Sequence, residues 1–329
     1  MQEYIKQLKH AQPVDFRVSF KLPEPVEGNI KGKIYMMLLL NSLLLITALS
    51  INPIHGAEPA GVVTPDAKIE KCADGFKFSE GPVSDSEGNI YFSDYGNDRI
   101  HIWSVDGTLS VFKEKMGGPI GLYFDKGGYL WVCAAREHRI KRVSPDGDVL
   151  DFPNTFNGKL FNSPNDIWVD AKGGVYFTDP RFSPLEEEVE QDGFHIFYIK
   201  PDTDTIIRAA HDLTKPNGIV GSPDGALVYV TETPVDKTYV YTVNADGTLS
   251  DKRLFAPEGY DGLAVDSAGN VYITMEESIE VYNPSGKKIE SIKVPGKPTN
   301  VCFGGKDKKT LFITARSSLF SIRMRIQGW

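Results

Sequence analysis

The feature that most constrains the fold is an internal repeat, spaced by roughly 40 to 50 residues. Each repeat contains a Gly-bearing turn followed by a short run of apolar, β-branched or aromatic residues. The six runs are residues 90–94, 129–134, 175–179, 226–232, 271–275 and 310–315. A period of this length is typical of one propeller blade of four strands. The repeat therefore predicts a ring of six equivalent β-units.

A second turn signal follows most of these runs and predicts the outer half of each unit. Asp-Gly pairs at Asp106-Gly107, Asp146-Gly147 and Asp246-Gly247 separate alternating apolar runs, which is typical of β-hairpins. No convincing amphipathic helix period occurs in the repeats. We therefore expect an all-β fold over residues 65–325, a six-bladed β-propeller with four-stranded antiparallel blades. A β-sandwich array is the alternative.

The last repeat lacks one strand, and this predicts how the ring closes. Its final run, residues 319–324, supplies only a third strand, whereas residues 67–73 precede the first repeat without a partner. We expect this N-terminal strand to complete the last blade and close the ring.

Four short motifs occupy equivalent places at the start of their repeats. They are Ser79-Glu80-Gly81-Pro82, Ser163-Pro164-Asn165-Asp166, Lys215-Pro216-Asn217-Gly218 and Tyr260-Asp261-Gly262-Leu263. In a ring, we expect the side chains of Glu80, Asn165, Asn217 and Asp261 to meet at one end of the central channel. Two carboxylates and two amide carbonyls are hard oxygen ligands, which favour Ca²⁺, Mg²⁺ or Mn²⁺. Turn or cap hydrogen bonds are the alternative use of such residues.

These motifs resemble the gluconolactonase/regucalcin (SMP-30/gluconolactonase-like) family of six-bladed propellers, with paraoxonases as more distant relatives. The resemblance covers residues 65–325 and includes Phe177-Thr178-Asp179-Pro180. It implies one divalent cation held by Glu80, Asn217 and Asp261, with Ca²⁺ expected and Mg²⁺, Mn²⁺ or Zn²⁺ as alternatives. It also implies that Asn165 contacts metal, metal-bound water or substrate. Ser163 stands where regucalcin-like members carry an Arg, so that substrate contact is absent.

The resemblance implies a metal-dependent hydrolase that opens a lactone ring, with a sugar lactone as the expected small-molecule substrate. In that interpretation Asp261 is catalytic, because it transfers the proton as well as binding the metal. Arg136, Arg181 and Glu232 follow the second strand of their repeats. Together with Asn165, they are the predicted substrate-binding residues. For the charged ones, a solvated surface charge is the alternative interpretation.

Other functions remain open at this point. A non-catalytic propeller would bind a protein or glycan on the same face and would tolerate replacement of Glu80 and Asp261. Another hydrolase, or a strictosidine-synthase-like enzyme, would share the fold, although strictosidine-synthase-like members are not built around this metal site. The sequence leaves open the particular lactone or ester, the native metal and the oligomeric state.

The N-terminal region differs from the repeats in composition. Residues 1–57 hold six basic and four acidic residues, so the rest of the chain carries a net charge of −10, against −8 overall. An acidic domain argues against nucleic acid as a partner. Residues 34–57 contain no Asp, Glu, Lys or Arg, and their apolar centre, residues 38–49, suits a signal peptide better than a membrane span. We expect residues 1–35 to be an unstructured or misassigned extension. Residues 36–57 would then direct export as a signal peptide, with an uncleaved membrane anchor as the alternative.

Overall fold

The computed structural model describes residues 61–182 and 189–329, and β-strands dominate this part of the chain. The strands of the first half are β1 (Glu70–Ser84), β2 (Ile90–Asp94), β3 (Arg99–Trp103), β4 (Leu109–Glu114), β5 (Pro119–Phe124), β6 (Leu130–Ala134), β7 (Arg139–Val143), β8 (Val149–Asp151), β9 (Thr155–Phe156), β10 (Lys159–Leu160), β11 (Ile167–Val169) and β12 (Val175–Asp179). Those of the second half are β13 (His195–Ile199), β14 (Ile206–Ala210), β15 (Pro216–Gly221), β16 (Leu227–Glu232), β17 (Lys237–Val243), β18 (Leu249–Ala256), β19 (Leu263–Val265), β20 (Val271–Thr274), β21 (Ser278–Tyr282), β22 (Lys288–Lys293), β23 (Asn300–Gly304) and β24 (Thr310–Arg323). Short 3-10 turns follow β2, β6 and β16 at Tyr95–Asn97, Ala135–Glu137 and Thr233–Val235.

Most strands form antiparallel sheets whose members follow one another in the chain. Four sheets have four strands each, in the orders β5-β6-β7-β8, β11-β12-β13-β14, β15-β16-β17-β18 and β19-β20-β21-β22. Among the described strands, the short strands β9 and β10 pair with each other alone. The prediction of an all-β, propeller-like fold with antiparallel blades is confirmed.

The sixth repeat and the first repeat share one six-stranded sheet, in the order β23-β24-β1-β2-β3-β4. Strand β1 belongs to both halves: Glu70–Asp74 pair with the end of β24, and Ser79–Ser84 pair with β2. The sequence predicted six separate four-stranded sheets, and the difference arises because β1 and β24 continue from one half of this sheet into the other. The number of blades and the closure of the ring stay predictions.

A local hydrogen-bond pattern explains the turn signature of the repeats. In each of the turns that begin at Asp85, Asp125, Asp170 and Asp266, the Asp carboxylate accepts the backbone N–H groups two and four residues later, at 2.8–3.0 Å. Such Asx-type turns bring the chain back on itself within five residues. The Asp and the Gly therefore fix the hairpin between the first and second strand of these four units.

The first strands of the units line a common channel. Strand β1 contacts β5, β5 contacts β11, β11 contacts β15, β15 contacts β19, and β19 contacts β23. Apolar side chains fill the space between adjacent sheets; for example, Trp168 and Tyr176 pack with Val228 and Val230 of the next sheet. This packing buries both faces of the second strands, so that β6 and β12 are buried at every residue.

The N-terminal predictions, for residues 1–35 and 36–57, lie outside the described residues. Within residues 61–182 and 189–329, no helix is long and apolar enough to cross a membrane. Cys72, Cys133 and Cys302 are all free thiols.

Candidate functional site

A cavity of about 320 Å³ opens at one end of the channel, and all four predicted metal-site residues line it. Glu80, Asn165, Asn217 and Asp261 reach it from four different sheets. The other lining residues are Phe78, Tyr95, Ile120, Ser163, Phe182, Thr233, Tyr260, Lys297, Thr299 and Arg316. The structure thus brings together four predicted side chains that lie up to 181 positions apart in the sequence, from Glu80 to Asp261.

The amide of Asn217 is oriented so that its oxygen remains available. Its Nδ2 donates to Thr233 Oγ1 at 3.0 Å and to the Tyr260 carbonyl at 3.3 Å. Its Oδ1 is buried and has no hydrogen-bond partner within residues 61–182 and 189–329. A buried polar atom without a partner costs free energy, and at a functional site it indicates a group that an ion or ligand completes.

Two carboxylates share the floor of the cavity with this oxygen. Glu80 is buried, and one of its oxygens accepts the Gly81 N–H at 2.9 Å. Burial, followed by the negative charge of Asp261, raises the pKa of Glu80 well above its usual value. Burial and the charge of Asp166 raise the pKa of Asp261 to about 7. Crowded carboxylates of this kind are stabilised in their ionised form by a cation.

The donor set fits a hard divalent cation. It offers two carboxylates, the free amide oxygen of Asn217 and the nearby amide of Asn165, all of them oxygen donors. No cluster of three or more His, Cys, Asp or Glu residues suited to a metal is present in residues 61–182 and 189–329. A site here therefore depends on the amides as well as on the carboxylates.

Three buried carboxylates at the ends of second strands hold the segments that carry these residues. Asp94 accepts the N–H groups of Lys77 and Phe78, both at 3.1 Å, just before Glu80. Asp179 accepts the N–H groups of Asn162 and Ser163 at 2.9 and 2.8 Å, just before Asn165. Glu232 accepts the N–H of Thr214, just before Asn217. Asp94, Asp179 and Glu232 therefore hold the backbone segments that precede Glu80, Asn165 and Asn217.

Buried hydroxyl groups one residue earlier join neighbouring sheets at the same level. Thr178 Oγ1 donates to the Asn217 carbonyl at 2.7 Å, and Thr231 Oγ1 donates to the Asp261 carbonyl at 2.6 Å. In the first sheet, Ser93 Oγ donates to the Ile120 carbonyl at 2.8 Å. Each bond fixes a cavity residue relative to the preceding sheet, so the site geometry is tied to the packing of the sheets.

The predicted substrate-binding residues divide into two groups. Asn165 lines the cavity, whereas Arg136, Arg181 and Glu232 do not belong to its lining. Arg136 lies over the Tyr95 ring, 4.2 Å from its centre, and donates to the Tyr95 carbonyl at 2.7 Å. Arg181 is half-buried and directly precedes the lining residue Phe182. A substrate contact by any of these charged residues stays a prediction.

Sequence reasoning missed several residues of the cavity wall. Phe78, Tyr260 and Lys297 line the cavity, although none of them was predicted as a site residue. Lys297 begins the segment Lys297-Pro298-Thr299-Asn300, which matches Lys215-Pro216-Asn217-Gly218 in the preceding motifs. That similarity indicated, in the sequence itself, that the sixth repeat also contributes residues to the cavity.

The fold and cavity define a class, namely propeller-like proteins that carry a cluster of oxygen ligands at one end of a channel. Comparison with known proteins identifies the family within this class. The sequence model of the SMP-30/Gluconolactonase/LRE-like region matches residues 78–317. The chain belongs to this family.

Relatives within the family carry lactonase names. A gluconolactonase of Zymomonas mobilis is 30% identical over 297 residues, which cover 79% of this chain and 82% of that protein. A solved gluconolactonase structure from Xanthomonas campestris has a TM-score of 0.76 and 29% identity, covering 82% of this chain and 92% of that one. The structure of a calcium-binding protein, regucalcin, from Agrobacterium tumefaciens has a TM-score of 0.66 at 18% identity, covering 82% and 95%, and supports the fold alone.

Proposed function

We propose that this protein is a metal-dependent hydrolase that opens a lactone ring, with a sugar lactone as substrate. The observation that carries the proposal is the free, buried Oδ1 of Asn217 beside the two crowded carboxylates Glu80 and Asp261. Membership of the gluconolactonase family and a relative named gluconolactonase support the reaction class.

The proposed cation is Ca²⁺, bound by Glu80, Asn217 and Asp261 with Asn165 nearby. All-oxygen donor sets favour Ca²⁺ and related hard ions over softer metals. When bound, such an ion supplies positive charge and Lewis acidity beside the reacting carbonyl group. Mg²⁺, Mn²⁺ and Zn²⁺ are the alternatives that metal replacement would separate.

In this proposal Asp261 moves the proton. Burial raises the pKa of Asp261 to about 7, and a bound cation would lower it again, so the effect of the cation on the attacking water must supply part of the base strength. Its carboxylate would take a proton from the attacking water and return it to the alkoxide that leaves as the ring opens. Asn165 would orient the substrate, while Phe78 and Tyr95 exclude water from the cavity.

The fold proposal that accompanies this function is a ring of six blades. The six-stranded sheet would then consist of two blades joined through β1 and β24, with the N-terminal part of β1 completing the last blade. The pairing of Glu70 with Ser321 and of Lys71 with Phe320 supports this closure. Deletion of residues 70–74 should then lower the thermal midpoint of the whole domain, whereas an unchanged midpoint would argue against it.

The test of function is proton release from glucono-1,5-lactone by the full chain, with spontaneous hydrolysis subtracted. The protein is measured after chelation and again with Ca²⁺, Mg²⁺, Mn²⁺ or Zn²⁺ restored, beside Asp261→Ala and Asn217→Ala. We expect metal-restored activity that both variants lose, together with weaker Ca²⁺ binding by calorimetry in Asn217→Ala. Activity that survives chelation, or wild-type turnover in Asp261→Ala, would sink the assignment. Absence of both activity and metal binding would favour a non-catalytic binding module.

We also propose export through residues 36–57, in line with their composition. Cell fractionation and N-terminal sequencing of the mature protein would test it. A mature N-terminus near residue 57 would support cleavage, an intact chain in the membrane fraction would support an anchor, and an intact chain in the cytoplasm would refute both.

A further inference from the structure

Two cations, Lys297 and Arg316, line the cavity from the six-stranded sheet. Arg316 lies within β24 in the left-handed backbone conformation, with φ of 53°, and its backbone pairs with Ser79, the residue before Glu80. Its side chain is exposed, so it stands at the cavity wall rather than in the core. Its main chain is thus tied to the floor of the site while its guanidinium group faces solvent and cavity.

The side chains of Lys297 and Arg316 differ in their contacts with other protein groups. Lys297 Nζ donates to Glu276 at 2.7 Å and to Tyr260 OH at 2.9 Å, and lies 4.0 Å from the centre of the Tyr260 ring. Among residues 61–182 and 189–329, the Arg316 side chain has no ion pair, hydrogen bond or ring contact. By contrast, the nearby Arg136 is stacked on Tyr95. Arg316 is therefore a cation at the cavity that the described protein groups leave available.

The other charges around the cavity indicate what the available Arg316 side chain can bind. A bound divalent cation would balance Glu80 and Asp261, and Glu276 balances Lys297. The buried Asp166 adds a third carboxylate that acts electrostatically on Glu80 and Asp261. Both Lys297 and Arg316 act electrostatically on Asp261, whose pKa they lower, so they lie within reach of the reacting centre. The remaining wall is aromatic or neutral, with Phe78, Tyr95 and Phe182. Arg316 is thus the cation at the cavity whose side-chain donors the described protein groups leave free to bind an anion.

An arginine suits one class of ligand particularly well. Its planar guanidinium group donates paired hydrogen bonds to carboxylate or phosphate, and a charge-assisted bond of this kind is stronger than a bond to a neutral hydroxyl. A neutral sugar lactone would make no such use of the charge. We propose that the cavity takes lactones that carry a second, anionic group, and that Arg316 binds this group.

This inference rests on the proposed lactonase function and names its substrate class. It assigns Arg316 as a specificity-determining residue, with Lys297 as a second positive charge beside it. The anion is a carboxylate or a phosphate, and the two sources can be distinguished with separate substrates.

The test compares lactones that differ only in this group. Glucaro-1,4-lactone has a carboxylate where glucono-1,4-lactone has a hydroxymethyl group, and 6-phosphoglucono-1,5-lactone adds a phosphate to glucono-1,5-lactone. The wild type is measured with each substrate beside Arg316→Gln and Arg316→Lys. The matched control is Arg253→Gln, which removes the same charge from an exposed residue of β18, away from the cavity lining.

We expect Arg316→Gln to raise KM for the preferred anionic lactone by about tenfold or more. For its neutral partner we expect a much smaller change, limited to the effect of the lost charge on Asp261. Arg316→Lys should recover part of the loss, and Arg253→Gln should behave as wild type. The carboxylate and phosphate pairs show which anion is preferred. Equal loss on both members of each pair would overturn the proposal, because Arg316 would then act on the reacting group that all the lactones share. A wild type without preference for either anion would overturn it as well.

A second readout keeps this result separate from the proposed reaction. Calorimetry with glucarate and gluconate measures binding without turnover. If no lactone is hydrolysed but glucarate binds more tightly than gluconate and loses that advantage in Arg316→Gln, the lactonase proposal fails while the anion site stands. If lactones are hydrolysed and Arg316→Gln changes neither KM nor glucarate binding, the reaction stands and the anion site fails.

Discussion

The ends of two strands in neighbouring sheets, β12 and β6, differ in what they do for the candidate site. Each is the second strand of a four-stranded sheet, but β12 ends with Thr178-Asp179 and β6 ends with Cys133-Ala134. The β12 end accepts three N–H groups of residues 162–163 and donates to the Asn217 carbonyl. The β6 end is equally buried but has no carboxylate or hydroxyl with which to do this.

Strand ends with a hydroxyl and a carboxylate occur in sheets that also contribute a predicted site residue. The pairs Ser93-Asp94 in β2 and Thr231-Glu232 in β16 also hold the segments of a site residue. The sheet of β6 has no such pair, and only Ile120 of its first strand lines the cavity. Asp261 is a partial exception, since Thr274 supplies the hydroxyl, bonded to the Gly262 carbonyl at 2.8 Å, without a carboxylate after it. The last two residues of a second strand thus either pack in the apolar core or hold the segment of a predicted metal-binding residue.

We expect the largest effect from Asp179→Ala, which gives β12 the residue that β6 has at this position. It leaves the backbone N–H groups of Asn162 and Ser163 without their acceptor, and each unsatisfied buried donor costs about 1–3 kcal/mol. The Asn162 side-chain amide loses one bond but keeps the Asp179 and Gly193 carbonyls as acceptors. We expect a loss of about 3 kcal/mol or more in urea unfolding, with weaker Ca²⁺ binding by calorimetry.

Asp125→Ala is the matched control for that variant. Asp125 also accepts three N–H groups, from Gly127, Tyr129 and the Trp131 ring, but in a turn that does not line the cavity. It should lower stability without changing Ca²⁺ affinity. Equal loss of affinity in both variants would mean that Asp179 acts through general stability alone.

The charge of Asp179 offers a second, smaller effect through pH. Burial raises its pKa to about 7, although the backbone N–H groups of Asn162 and Ser163 oppose this. A carboxyl whose pKa is higher in the folded than in the unfolded state makes stability fall as pH rises between the two values. We expect the unfolding free energy of the wild type, relative to Asp179→Asn, to fall by a few kcal/mol at most from about pH 4 to pH 7 and then to level off.

Urea unfolding of both proteins at pH 5, 6, 7 and 8 checks this prediction. Because the difference between the two proteins is measured, the other buried carboxylates largely cancel. A difference that instead increased across this range would show that the N–H donors outweigh burial and hold the pKa below its ordinary value.

The hydroxyl of Thr178 can be removed with little change in shape. Thr178→Val loses the bond to the Asn217 carbonyl and the bond accepted from the Asp166 N–H, at 2.7 and 3.1 Å. We expect about 1–2 kcal/mol of destabilisation and a modest loss of Ca²⁺ affinity, with recovery of affinity in Thr178→Ser. Tyr272→Phe removes a buried hydroxyl bond to Asp266 and is the control that should keep full affinity.

The smallest effect is expected at Cys133, the counterpart of Thr178. Cys133→Ala removes a buried sulfur that packs with Phe161 and Phe177 in an apolar cluster. We expect about 1 kcal/mol of destabilisation and unchanged Ca²⁺ affinity. A marked loss of affinity would show that β6 supports the site as β12 does, and the comparison would fail.

The part of this fold that sequence predicted well depends on local bonds. The Asp-x-x-Gly turns were found because an Asp and the N–H groups it accepts lie within four residues of each other. The four site motifs were found because equivalent places in a repeat become equivalent places around a channel. The pattern did not show that β1 and β24 would run unbroken through one six-stranded sheet, since strand continuity is a property of the pairing rather than of the turns.

The supporting residues were harder to predict. Glu232 was interpreted as a substrate ligand, but its carboxylate faces the Thr214 N–H, 18 residues earlier. Asp179 accepts from residues 16 and 17 positions earlier, and Thr178 donates to a residue 39 positions later. Nothing in the pattern distinguishes a carboxylate that faces solvent from one that faces a neighbouring backbone.

The sequence by itself determined the repeat, its turns and the oxygen-rich residues at the start of four units, because these depend on chemistry between near neighbours and on periodicity. Only the tertiary structure decided which side chains share a cavity. It also decided that the Asn217 Oδ1 atom and the Arg316 side chain have no hydrogen-bond partner within residues 61–182 and 189–329. Those properties depend on contacts between different sheets, where burial and distance set the cost of every unpaired donor, acceptor and charge.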